Sequence, residues 1–111
     1  MKCSSKKVNS AIIIEIEGEI MGGAESADFK DLLYQAIEED IVNIVVDMAK
    51  ATWMNSSGLG MLITGLTTIR SSGGDLRLAN VSDKVRRPLE ITKLDSVFSI
   101  HESVDDAVNS Y

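Results

Sequence analysis

Ile41 to Met48 read Ile-Val-Asn-Ile-Val-Val-Asp-Met, a β-branched and apolar run interrupted only by Asn43 and Asp47. Such a run suits a central strand covered on both faces. A strand of that kind needs layers packed above and below it, so this one segment already commits the chain to a layered arrangement.

The flanking periodicities supply the layers. From Val8 to Ile20, the residues Ile12, Ile14 and Ile16 alternate with Glu15 and Glu17, which predicts a half-buried strand broken by Gly22-Gly23. Phe29, Leu32, Leu33, Ala36 and Ile37 fall on one helical face, with Asp28, Lys30, Asp31 and Glu38 outward and Ser26 as the expected N-cap. A second helix is expected from Ser57 to Ser71, with Leu59, Leu62, Ile63, Leu66 and Ile69 inward and Gly73-Gly74 closing it. Leu76, Leu78 and Val81 predict a strand. Val85 to Leu94 predicts a shorter helix with Pro88 near its first turn. Val97 to Ile100 is expected as a short strand and Ser103 to Ser110 as a last helix, with Val104, Ala107 and Val108 inward. The expected fold is therefore a single α/β domain over residues 1–111. Its mixed, mostly parallel central sheet would have four to five strands, with about four helices packed on it.

Charge and residue usage narrow the chemistry. Eleven Lys plus Arg against 17 Asp plus Glu give a net charge of −6. That balance argues against nucleic acid or an anionic membrane as a partner, and the basic stretch Lys84 to Arg87 is too short to reverse it. With one Cys and one His, no internal disulfide and no zinc site is expected, and nothing calls for a cofactor. Cys3 is expected to be exposed in a frayed, polar terminus. Residues 1–7 do not read as a signal peptide, and no stretch approaches the roughly 20 apolar residues of a membrane helix. The expectation is a soluble protein of the cytoplasm.

The informative stretch is Trp53-Met54-Asn55-Ser56-Ser57-Gly58-Leu59-Gly60, between the buried strand and the second helix. Sites in open α/β sheets favour this position, where a helix N-terminus offers unpaired N–H groups and a partial positive charge. Asn55, Ser56 and Ser57 are all suitable caps. Enzyme motifs fit poorly. Gly58 and Gly60 lack the third glycine of a dinucleotide fingerprint, and Leu66 stands where a phosphate loop needs Lys. Asn55 to Gly58 lacks the leading glycine of a nucleophile elbow, and His101 is the only imidazole. No catalytic residue is expected; a hydrolase using Ser56 would reveal itself by labelling with a serine-reactive phosphonate. The second helix has no charged side chain from Ser56 to Ile69, and Ser57, Gly60, Met61, Thr64 and Thr68 fall opposite its apolar face. A neutral, small-residue face with a Met suits a protein interface.

Ile44-Val45-Val46-Asp47-Met48, followed by Trp53-Met54-Asn55-Ser56-Ser57-Gly58-Leu59-Gly60-Met61-Leu62, resembles the core signature of STAS domains. The likeness is strongest to the bacterial anti-sigma factor antagonists, and Gly18-Glu19-Ile20, Gly73 to Leu78, Ile91 to Val97 and Asp105-Asp106-Ala107 extend it over nearly the whole chain. The resemblance implies a phosphorylation switch. The unphosphorylated form would bind an anti-sigma factor that is also a serine kinase, freeing a sigma factor. Phosphorylation at Ser56 would end that binding, and a metal-dependent serine phosphatase would reset it. The implied contact residues are Asn55, Ser56, Ser57, Gly58, Gly60, Met61, Thr64 and Thr68, on a monomer or weak dimer. Periodicity does not choose between the serines: Ser57 points outward if helical and Ser56 is expected as the cap, so resemblance alone selects Ser56. The family usually has Asp where this chain has Asn55. The alternative function is a STAS interaction or ligand-sensing module that is not switched.

Overall fold

The strand foreseen from Ile41 to Met48 lies third of five in a single sheet. The computed structural model describes the backbone of residues 1–111 and every side chain except that of Glu25. The strands are β1 (Lys2–Val8), β2 (Ala11–Ile20), β3 (Asn43–Met54), β4 (Asp75–Ala79) and β5 (Ile100–His101), and their spatial order is their chain order. β1 and β2 pair antiparallel, and the other pairings are parallel. Helices α1 (Ser26–Glu38), α2 (Ser56–Ser71), α3 (Asp83–Ile91) and α4 (Val104–Asn109) make the layers.

That order dictates which layer each helix joins. Parallel strands are joined by right-handed crossovers, and crossovers that always step in the same direction return every helix to the same face. Accordingly Phe29 and Leu33 of α1, Leu62 and Leu66 of α2, and Val85 and Leu89 of α3 form one core with Ile14, Ile16, Ile44 and Val46. Only α4, which follows the last strand, lies on the other face, where Ala107 packs with Ile13, Val45 and Ala79. Ile44, Val45 and Val46 are thereby fully buried from both sides, as the uninterrupted run required.

Several boundaries depart from expectation. Residues 2–8 are not frayed: they form β1, with Cys3 half-buried opposite Ile16. A two-residue turn at Asn9-Ser10 joins the hairpin, with Asn9 at φ 56°, a left-handed conformation Asn tolerates. Lys2, Lys6 and Lys7 on this edge strand oppose further pairing, so its polarity marks an edge, not disorder. β3 begins at Asn43 and runs on to Met54, and its buried residues Met48, Ala51 and Met54 step by three where the register with β2 shifts. α3 begins at Asp83, two residues early, so Pro88 sits in its second turn. Residues 94–96 form a 3-10 turn, and the strand expected from Val97 reduces to Ile100–His101. Ser26 is the first residue of α1, where its hydroxyl donates to the Gly23 carbonyl at 2.6 Å; it does not act as the cap acceptor. α4 keeps its foreseen inward face, capped by Ser103, whose Oγ accepts from Asp106 N–H at 3.1 Å.

Tyr111 fastens α4 to the sheet. Its hydroxyl accepts from Ile44 N–H at 3.1 Å and directs its proton to the carbonyls of Ile44 and Asp75. The Arg77 guanidinium lies 4.0 Å from its ring centroid, a cation–π contact. Arg77 and Arg70 also donate to the Asp75 carboxylate at 3.1 and 3.0 Å. Burial disfavours that carboxylate, but the two guanidinium bonds prevail and hold its pKa below the ordinary range.

Burial pushes the Tyr111 phenol well above its usual pKa, and the nearby Arg77 charge offsets only part of this. The folded state therefore holds the phenolic proton to higher pH than the unfolded chain does. The stability linked to it is complete below about pH 10 and is lost as pH rises beyond that. Urea unfolding at stepped alkaline pH should show this fall. Tyr111→Phe should flatten it and cost about 1 kcal/mol at neutral pH, since it removes the hydroxyl that bonds the Ile44 and Asp75 carbonyls. An unchanged alkaline profile in the variant would contradict the assignment.

Candidate functional site

The turn between β3 and α2 is built by one amide. Asn55, extended at φ −99° and ψ −177°, is the N-cap of α2: its Oδ1 accepts from Gly58 N–H at 2.8 Å and its carbonyl accepts from Leu59 N–H at 2.9 Å. A cap bond of this type contributes about 1 kcal/mol. The expectation that Ser56 caps the helix is thus corrected. α2 starts at Ser56, one residue earlier than expected, because the amide one position before it satisfies the amide of Gly58. Both Ser56 and Ser57 are exposed, and their hydroxyls make no hydrogen bond among the described residues. The two hydroxyls stand over the start of a sixteen-residue helix in which Asn55 satisfies the Gly58 N–H, leaving those of Ser56 and Ser57 outside the helical ladder.

Close packing fixes this turn against the end of β2. A Cβ on Gly58 would collide with the Ile20 carbonyl oxygen, and one on Gly22 would lie 2.8 Å from the Ser57 carbonyl oxygen. Asn55 N–H also donates to the Ile20 carbonyl at 3.2 Å. The β2–α1 loop and the first turn of α2 are therefore one surface, with Met21 exposed just after β2 and Trp53 exposed near the end of β3. The contribution of Gly22 escaped the sequence reading. Its only signal was the Gly22-Gly23 pair, which reads as a simple strand terminator.

The expected contact residues divide between surface and core. Thr64 is exposed with Ser56 and Ser57, whereas Asn55, Gly60 and Thr68 are half-buried. Gly58 and Met61 are buried, so they are support for the face and not part of it. Met61 departs from the helical-wheel expectation because α2 is covered on two sides, by the sheet and by α1, which widens its buried arc beyond the apolar stripe. Thr67 and Thr68 hydroxyls donate back to the carbonyls of Ile63 and Thr64 at 3.0 and 2.8 Å, which leaves this flank neutral and internally satisfied. Arg70, the one charged residue of α2, is at its far end, bonded to Asp75 and the Val97 carbonyl.

The site has a free hydroxyl but no proton acceptor bonded to it. His101 lies in β5 with its Nε2 2.8 Å from Ser99 Oγ. Among the described residues no cluster of His, Cys, Asp and Glu could hold a metal ion. No helix is long and apolar enough to cross a membrane. What the arrangement offers is an exposed serine hydroxyl at a helix start, at the head of an uncharged face.

Comparison with known proteins gives this geometry a context. The model of the STAS domain matches residues 3–107. A STAS-domain containing protein of Pseudomonas aeruginosa is 34% identical over 89 residues, covering 80% of this chain and 86% of that one. An anti-sigma-B factor antagonist of Staphylococcus aureus is 24% identical over 78 residues, covering 70% of this chain and 72% of that one. In fold, the chain is similar to a candidate anti-sigma factor antagonist from Thermotoga maritima, with a TM-score of 0.85 at 24% identity over 97% of this chain and 92% of that one. It is also similar to the phosphorylated form of the Bacillus cell fate determinant SpoIIAA, with a TM-score of 0.75 at 18% identity over 98% of each chain.

Proposed function

The chain belongs to the STAS domain family, and from that premise we propose that it is an anti-sigma factor antagonist switched by phosphorylation of Ser56. Unphosphorylated, it binds an anti-sigma factor with serine-kinase activity and so releases a sigma factor. Phosphorylated, it lets go, and a metal-dependent serine phosphatase resets it. The observation that carries this reading is the exposed, unpartnered Ser56 hydroxyl at the head of the uncharged α2 face. The name of the Staphylococcus aureus relative supports the partner class.

The physics of the turn is compatible with a switch that leaves the fold alone. A phosphoryl group adds about −1.5 to −2 charges at neutral pH. At the start of α2 that charge meets unpaired N–H groups and the positive end of the helix dipole, so the domain tolerates it. A partner seated on the neutral face formed by Ser56, Ser57, Gly60, Thr64 and Thr68 would instead have to desolvate the same charge. Binding is lost at the contact while the fold persists. Asn55 keeps the cap that an Asp would make, and it removes a negative charge beside the phosphate acceptor.

The direct test is to incubate the chain with ATP and the anti-sigma kinase encoded in the same genome, then map phosphosites by mass spectrometry. One phosphate, on Ser56, is expected. Phosphate on neither Ser56 nor Ser57 would overturn the proposal.

A further inference from the structure

Between α1 and α2 opens a cleft of about 230 Å³ that starts beside Ser57. Its floor is apolar, made by the buried side chains of Phe29, Leu33 and Met61. The cleft exists because glycines stand where side chains would fill it. A Cβ on Gly65 would lie 2.9 Å from Phe29 and 3.0 Å from Leu33, whereas the space over Gly60 and Gly23 is open.

The rim is polar and carries a single sign of charge. Among the described lining residues Lys30 alone is charged, and Ser26, Ser57 and Thr64 are the hydroxyl neighbours. The Lys30 ammonium lies 5.7 Å from the Tyr34 ring centroid and has no carboxylate partner among the described residues. In a chain of net charge −6, an unpaired cation beside an apolar hollow selects for a ligand with one negative charge and an alkyl body. Size limits it further. At ~30 Å³ per water-sized group the cleft takes roughly eight non-hydrogen atoms. That is below the ~300–1,000 Å³ of drug-sized sites. A nucleotide brings too many atoms and too much charge.

We propose that this cleft binds a short-chain alkyl carboxylate, its chain on Phe29, Leu33 and Met61 and its carboxylate at Lys30. The cleft shares Ser57, Gly60 and Thr64 with the proposed partner face, but neither its apolar floor nor its cation involves the Ser56 hydroxyl, so ligand binding and phosphorylation can be tested separately.

Hexanoate, with its eight non-hydrogen atoms, is the probe, with hexanol as the uncharged control and acetate as the tail-less one. A titration followed by amide ¹H–¹⁵N shifts should give saturable changes at Gly23, Lys30, Gly60 and Thr64 with hexanoate and none with acetate. Hexanol and the Lys30→Gln variant should each bind about fivefold more weakly, the scale of one exposed ion pair. Gly60→Leu directs its side chain into the open space and should abolish the shifts while leaving the rest of the spectrum folded. Absence of saturation, equal affinity for hexanol, unaltered binding by Gly60→Leu, or shifts confined to the exposed Ile91 and Val97 would each overturn the proposal.

Discussion

Gly58→Ala should lower the stability of the domain by about 3 kcal/mol or more, read as a drop in the urea midpoint at unchanged slope. The reason is the Ile20 carbonyl, which occupies the place where a Cβ would project. The obstacle is backbone and not the end of a flexible side chain, so α2 has to move away from β2. That movement also stretches the Asn55 N–H to Ile20 hydrogen bond and the cap that positions Ser56. A domain of this size has about 5–15 kcal/mol in all, so the loss is a large fraction of it. Gly60→Ala, two residues along the same helix, is the matched control. Nothing lies within reach of its Cβ, and an alanine there should raise stability by about 0.5–1 kcal/mol through helix propensity alone. Equal effects at the two positions would mean that α2 is not seated on β2 in this way.

The second large effect concerns binding. Ser56→Asp should weaken the affinity for the anti-sigma kinase about tenfold or more, while Ser56→Ala binds as tightly as the unmodified chain and cannot be switched off by ATP. Isothermal titration of the two variants against the same kinase measures the difference. Thermal unfolding supplies the control, because a carboxylate at the first residue of α2 interacts favourably with the helix dipole and should leave the melting temperature unchanged or slightly raised. The loss of affinity then belongs to the contact and not to the fold. A real phosphate should exceed the aspartate in effect, since it carries nearly twice the charge. Equal affinities for Ser56→Asp and Ser56→Ala would place this turn outside the interface.

Much of the layered plan could be read from the sequence, because burial writes itself into periodicity. Ile12, Ile14 and Ile16 announce β2, Phe29 to Ile37 announce α1, and Val104, Ala107 and Val108 announce the inner face of α4. β1 was not legible, because an edge strand with one half-buried face carries serines and lysines where a central strand carries valines. The far half of β3 was hidden by the register shift that replaces a step of two by a step of three. In the site, Asn55, Ser56 and Ser57 could be picked out because cap chemistry is local. The roles of Gly22, Gly58 and Met61 could not, because each is decided by a contact with a distant segment: Ser57 for Gly22, Ile20 for Gly58 and the packed α1 layer for Met61.

The sheet order and the bonds of Tyr111 together have a consequence for how the chain assembles. Parallel neighbours that follow one another in sequence close over a single helix each, so β2, β3 and β4 can pair in succession with modest loop entropy. Tyr111 bonds to Ile44 and Asp75, acceptors that stand side by side only once β3 and β4 are in register. α4 is therefore expected to dock after the sheet exists, sealing the face over Ile13, Val45 and Ala79 last. The surface proposed to signal lies in the layer that forms with the crossovers, while the closing step falls on the opposite side of the sheet.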